Sequence, residues 1–139
     1  MKLSFEFPAS TSILSDIGKL VCEAAQKEGF SEEEIGDIQL AVDEACANTI
    51  IHGLRKDPTR YFTLELNSGA GEIEIIIKEI GVSFELRNIK EVDVNAPLEE
   101  REIGGLGFFF VQNMMDIVDY QVRDDGMKIL RMVKKMKKT

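Results

Sequence analysis

A chain of 139 residues with 44% hydrophobic and 30% charged residues has the size and composition of one ordinary globular domain, expected over 1–139. Its net charge is −8; six basic and no acidic residues follow from Lys128 onward, so residues 1–127 carry −14. Such a body repels a phosphate backbone, which argues against a main role on nucleic acid, and no apolar run is long enough to cross a membrane.

In chain order, residues 2–8 (KLSFEFP) alternate apolar and polar and predict a strand ended by Pro8. Ser10 or Thr11 is placed to cap a helix carrying Ile13, Leu14, Ile17, Leu20, Val21 and Ala24, closed by Gly29. Ser31 with Glu34 forms a capping box for a second helix that Gly53 ends. The period then changes. Tyr61–Asn67, a Gly-Ala-Gly turn and Glu72–Lys78 read as a hairpin. Residues 80–104 read as a long loop, with Pro97 and the charged run Glu99–Glu102. Phe108–Ile117 has helical register, and Asp119–Val122, the turn Asp124-Asp125-Gly126 and Met127–Val133 make a second hairpin. The sum is α+β, with helices layered on one face of a sheet. The basic end, KKMKK, reads as a solvated terminus. MKLSFEFPAS lacks a secretory core, and Cys22 and Cys46 have no CxxC spacing, so buried thiols in a reducing, cytoplasmic setting are expected.

Three segments bear on chemistry. Glu44, Asn48 and His52 stand four residues apart within the helical stretch Asp37–Ile51, roughly 6 Å between neighbours on one stripe. The Asn48 carbonyl suits magnesium, which takes one or two protein oxygens and completes its shell with water and phosphate. Glu44, one turn below, would then be placed to take a proton beside the terminal phosphate. The same residues also fit the wet edge of an amphipathic helix, and His52 fits a helix end near the negative dipole pole. Gly104-Gly105-Leu106-Gly107 precedes a helix, where free amides suit phosphate oxygens; a loop-to-helix joint is the plainer alternative. Glu79-Ile80-Gly81-Val82-Ser83-Phe84 follows an apolar strand, and its carboxylate suits a base amine, or simply ends the strand.

Taken in order, Glu44-x-x-x-Asn48, Glu79-x-Gly81-x-Ser83-Phe84 and Gly104-Gly105-Leu106-Gly107 resemble the ATP-binding boxes of the GHKL superfamily. Within it, DEACANTIIHG (43–53) and GGLGFFFVQNMMDIVDY (104–120) look most similar to the bacterial anti-sigma-factor serine/threonine kinases. The resemblance implies a two-layer α/β sandwich of the Bergerat type, its sheet mixed but mainly antiparallel, holding ATP and Mg2+ under a lid near residues 90–104. By that resemblance Glu44 is the catalytic base and Asn48 the magnesium ligand. Glu79, Gly81 and Ser83 would serve the base, and Arg101, Gly104, Gly105, Leu106 and Gly107 the phosphates. The implied function is an anti-sigma factor that phosphorylates a serine of an anti-anti-sigma protein, binds a sigma factor, and pairs as a homodimer. The sequence departs from the pattern at position 79, where the family usually has aspartate, and at Ser83, which replaces a glycine. A longer carboxylate moves the acceptor by about one carbon–carbon bond, comparable to the ~1 Å misplacements that cost activity. The alternative is therefore a non-catalytic interaction module of the same fold.

Overall fold

The computed structural model describes residues 1–80 and 111–137. Gly81, Ser83, Arg101, Gly104, Gly105, Leu106 and Gly107 lie outside the described residues, as does the expected lid. The first third is strand then helices: β1 (Lys2–Pro8), a short 3-10 turn (Thr11–Ile13), α1 (Leu14–Glu28) and α2 (Glu32–Asn48). Two hairpins follow, β2 (Tyr61–Gly69) with β3 (Glu72–Glu79), and β4 (Ile117–Val122) with β5 (Lys128–Lys135). The strands form one sheet in the order β1-β2-β3-β5-β4, and every described pairing is antiparallel. This is the α+β architecture expected.

Local chemistry sets the helix ends. Gly29 closes α1 with φ of 101°, a left-handed conformation costly for other residues, and its amide donates back to the Ala25 and Gln26 carbonyls. At the start of α2 the Ser31 hydroxyl accepts from the Glu34 amide at 3.1 Å, and the Ser31 amide donates to the Glu34 carboxylate at 3.0 Å. The second Glu34 oxygen accepts from the Lys137 amide at 3.0 Å, tying the far end of the chain to this helix. These backbone donors, Ser31 first, hold the Glu34 carboxyl below its usual pKa. Replacing Ser31 by alanine removes one cap and is expected to cost about 1 kcal/mol, seen as a melting temperature lower by about 4 °C.

The sheet is two-faced. Along β3, Ile73, Ile75 and Ile77 point to the helices and are buried; Ile75 lies opposite Leu66 and Met132 and Ile77 opposite Leu64 and Leu130, while Ile73 faces Ser68 and Lys134. Burying such a side chain contributes about 1.5–3 kcal/mol. Ile17 and Val21 of α1 and Ile38, Val42 and Ala45 of α2 close the same core. The opposite face carries a polar ladder, with Lys78 on Glu65 at 3.1 Å and Glu74 held by Arg131 at 2.5 Å and Asn67 at 2.8 Å.

Three expectations are corrected. The helix over Phe108–Ile117 overruns: residues 111–114 are helical, but Ile117 opens β4. Lys134 Nζ caps the Met114 carbonyl at 2.7 Å and the Asp116 amide bonds the Val133 carbonyl, which turns the backbone into the sheet. The basic end KKMKK is not a solvated terminus from its first residue: Lys134 and Lys135 complete β5, the strand expected over Met127–Val133, and Lys134 is buried. β5 lies inside the sheet, and its alternation puts Lys128, Leu130, Met132 and Lys134 on the helix-facing side, with Lys128 and Lys134 buried. Finally, α2 does not run evenly to Gly53. It gives way at Thr49–Gly53 to a π turn, closed by the Leu54 amide on the Thr49 carbonyl at 2.8 Å.

Candidate functional site

The flank of α2 settles one question about the stripe. Ile38, Ala41, Val42, Ala45 and Cys46 make the buried side of this helix, whereas Asp43, Glu44, Ala47 and Asn48 are half-buried beside it. Glu44 and Asn48 thus sit where a carboxylate and an amide keep access to solvent or ligand, with no large desolvation cost. His52 falls within the π turn, whose wider i to i+5 bonding breaks the regular four-residue spacing, so the stripe does not continue through it. Single π turns of this kind concentrate at functional sites.

Between α1 and α2 runs an open groove of about 570 Å³, walled by Ser15, Lys19 and Cys22 on one side and Gln39, Asp43 and Glu44 on the other. The helices approach closely at Gly18, where a Cβ would stand 3.4 Å from Gln39 Nε2. Burial, and then the neighbouring Glu44 charge, push the Asp43 carboxyl above its ordinary value. Burial, then Asp43, raises both thiols; Cys46 is buried as expected, while Cys22 is half-buried on the groove wall.

The other end of the site is built where β3 stops. Glu79 is the last residue of β3 and points to the helix side, as Ile77 does two positions earlier. It is 8% exposed. Its register partner is Lys128 of β5, whose Nζ lies 3.8 Å from Glu79 Oε1 with both side chains buried. Glu79 Oε2 is buried and has no hydrogen-bond partner among the described residues. Below the carboxylate lies Gly53, the last residue of the π turn: a Cβ there would stand 2.7 Å from the Glu79 carboxyl carbon. Gly53 is not among the residues with positive φ. Close approach, not backbone conformation, therefore requires glycine at this position. Nine residues of helical rise separate Gly53 from Glu44, roughly 13 Å, which is about the reach of an extended nucleoside triphosphate.

Burial drives the Glu79 carboxyl up to about 7, with Lys128 pulling it down less strongly. Lys128 is lowered by burial, against the opposing pull of Glu79. The Tyr120 hydroxyl on β4 is pushed up to about 12 by local desolvation and then by the Glu79 charge, although the residue as a whole is 47% exposed. For Glu79 the folded chain holds a proton that the unfolded chain has released, so its contribution to stability is complete below about pH 4.5 and fades as pH rises through 7. The expected loss between pH 5 and pH 7 is about 2 kcal/mol. Urea unfolding across that range should show this slope in the native chain and a flatter one in Glu79→Gln.

The structure thus brings Glu44 and Asn48 together on one helix flank and sets Glu79 at the far end of the same helix. Two residues of this end were not singled out from the sequence. In the sequence Gly53 reads only as a helix stop, and Lys128 as a residue of the second hairpin and of the basic end, with no role in the site. For the second, the strand is legible but its pairing with Glu79 is not, because that depends on β5 lying next to β3. For Gly53, only the fold reveals what approaches it.

Residues 7–134 match the family described as the histidine kinase-like ATPase domain. The serine-protein kinase RsbW of Bacillus cereus (strain ATCC 10987 / NRS 248) is 30% identical over 134 residues, covering 93% of this chain and 82% of that protein. The protein of the same name from Bacillus thuringiensis (strain Al Hakam) is 28% identical over 134 residues, with the same coverage. Among solved structures, one chain of the SiaB-SiaC complex of Pseudomonas aeruginosa shares the fold, with a TM-score of 0.69 at 17% identity over 94% of this chain and 88% of that one. The structure of the RsbU and RsbW domains of a Mycobacterium tuberculosis protein gives the same TM-score at 13% identity, covering all of this chain and 33% of that one. With its helices packed on one face of an antiparallel sheet and a match spanning nearly its whole length, this chain belongs to the histidine kinase-like ATPase domain family.

Proposed function

We propose that this protein is an anti-sigma factor with ATP-dependent serine kinase activity toward an anti-anti-sigma protein. The observation that carries the nucleotide reading is the buried Glu79 Oε2 above Gly53, an oxygen with no partner among the described residues. A buried acceptor without a donor is costly, and the amine of adenine would supply that donor. The relatives named serine-protein kinase support the choice of reaction.

In this reading the chain's residues divide the work along α2. Glu79 accepts from the adenine amine at one end. At the other, the Asn48 side-chain carbonyl offers a magnesium ion one hard oxygen, the rest of its shell coming from phosphate and water. Bound there, the ion would neutralise charge on the phosphates. Glu44 takes the proton from the attacking serine hydroxyl as its oxygen bonds to the γ-phosphorus, and the bond from that phosphorus to the β-phosphate bridging oxygen breaks. Gly81 and Ser83 are assigned to the base, and Arg101, Gly104, Gly105, Leu106 and Gly107 to the phosphates, by sequence alone. A sigma factor, the anti-anti-sigma substrate and a second copy of the chain are the proposed partners, in the cytoplasm. No helix among the described residues is long and apolar enough to cross a membrane.

A second reading, a non-catalytic interaction module, draws on Lys128: an ammonium already beside Glu79 offsets part of what a base would gain there. Incubation with Mg-ATP and the anti-anti-sigma protein of the same genome separates the two. Mass spectrometry should find one phosphoryl group on a serine of that protein. An unmodified partner, with Mg-ATP bound to the chain, would favour the module.

A further inference from the structure

We infer that Lys128 is a second base-reading residue of the nucleotide site, donating from its ammonium to the purine ring nitrogen beside the amine that Glu79 accepts. The inference rests on the nucleotide reading above and adds to it a residue on a different strand.

The geometry begins with the register. Glu79 and Lys128 lie directly opposite each other on β3 and β5, so both side chains leave the same face of the sheet, and the Glu79 carboxylate meets the π turn at Gly53. Both are buried. A self-contained ion pair in such a place would close on itself, with the ammonium in tight hydrogen-bond contact and both carboxylate oxygens satisfied. This one does not. The separation of 3.8 Å exceeds hydrogen-bond length, and Oε2 is buried without a partner among the described residues. An ammonium carries three donors, more than one carboxylate oxygen can use.

The pair therefore sets an acceptor and a donor side by side, with the acceptor packed on Gly53. The Watson–Crick edge of adenine is the complement of that pattern: an exocyclic amine that donates, next to N1, which accepts. A carboxylate alone reads only the amine. Adding Lys128 reads the neighbouring ring position and keeps the ammonium paired when the base is present. The longer glutamate fits this arrangement, since it spans from the strand end to a position shared with the lysine.

The test compares ATP with its 1-deaza analogue, which keeps the amine but has a C–H in place of N1, by calorimetric titration with magnesium. The native chain should bind the analogue about tenfold more weakly, the equivalent of one charged hydrogen bond. In Lys128→Met, the two ligands should bind within about twofold of each other, because the donor is gone. An equal penalty in both proteins would assign N1 to water and overturn the inference. So would equal binding of the two ligands by the native chain, a comparison that needs no variant to fold. If the native chain binds neither ligand, the nucleotide reading itself fails, a different result from ATP binding without discrimination at N1.

Discussion

Replacing Glu44 by alanine is expected to leave Mg-ATP affinity within about threefold of the native chain and to slow phosphoryl transfer to the serine substrate by about 10²- to 10⁴-fold. The reasoning starts from position. Glu44 is half-buried on the flank of α2 and borders the open groove against α1, so its carboxylate is reachable by a protein hydroxyl approaching from outside. It lies one helical turn before Asn48 and so would stand beside, not on, the metal-binding oxygen. A base in that place acts on the attacking hydroxyl and contributes little to holding the nucleotide, which is why rate and affinity should separate. Asp43 is the obvious substitute, being adjacent and also in the groove, but neighbouring helical positions point in directions about 100° apart. A Glu44→Ala protein that transferred phosphate at the native rate would show that another group takes the proton.

The second large effect is expected at Gly53. Alanine there puts a methyl group 2.7 Å from the Glu79 carboxyl carbon, well inside contact distance. The end of a glutamate side chain can move, but this one is buried and opposite Lys128, so moving it disturbs the pair and takes the acceptor away from the base. The cost to folding should be about 1–3 kcal/mol, as for other overpacked sites. The cost to Mg-ATP affinity should be about 10- to 100-fold, from the loss of charge-assisted hydrogen bonds. Denaturant unfolding and calorimetry on the same sample measure both. Unchanged affinity in Gly53→Ala would remove Glu79 from the base end of the site.

How far the sequence carried the fold depends on whether the deciding contacts were local. Ser31 and Glu34 are three residues apart, so their reciprocal cap is written in the sequence and appears as expected. The alternation of Tyr61–Asn67 and Glu72–Lys78 likewise specified a hairpin whose register the turn fixes. The helix expected to reach Ile117 shows the limit, because Lys134, a residue of another strand, caps it earlier. The same holds for the site. Glu44 and Asn48 share one helix, so their spacing was legible; the fold adds that they lie on its half-buried flank. The pairing of Glu79 with Lys128 depends on β5 entering the sheet next to β3, an arrangement made by the whole topology. The π turn was hidden for a different reason. Ile50 and Leu54 are buried, while Ile51 is half-buried, a pattern that an even helix would also allow. The carboxylate that looked one bond too long in sequence turns out to face a buried lysine, so its length can no longer be judged against aspartate alone.

The most direct test of the central claim is calorimetric titration of Mg-ATP into the native chain and into Asn48→Ala. The account predicts saturable heat with a micromolar dissociation constant for the native chain, and loss of that binding in the variant. Absence of heat in the native chain, or the same binding in both proteins, would contradict it.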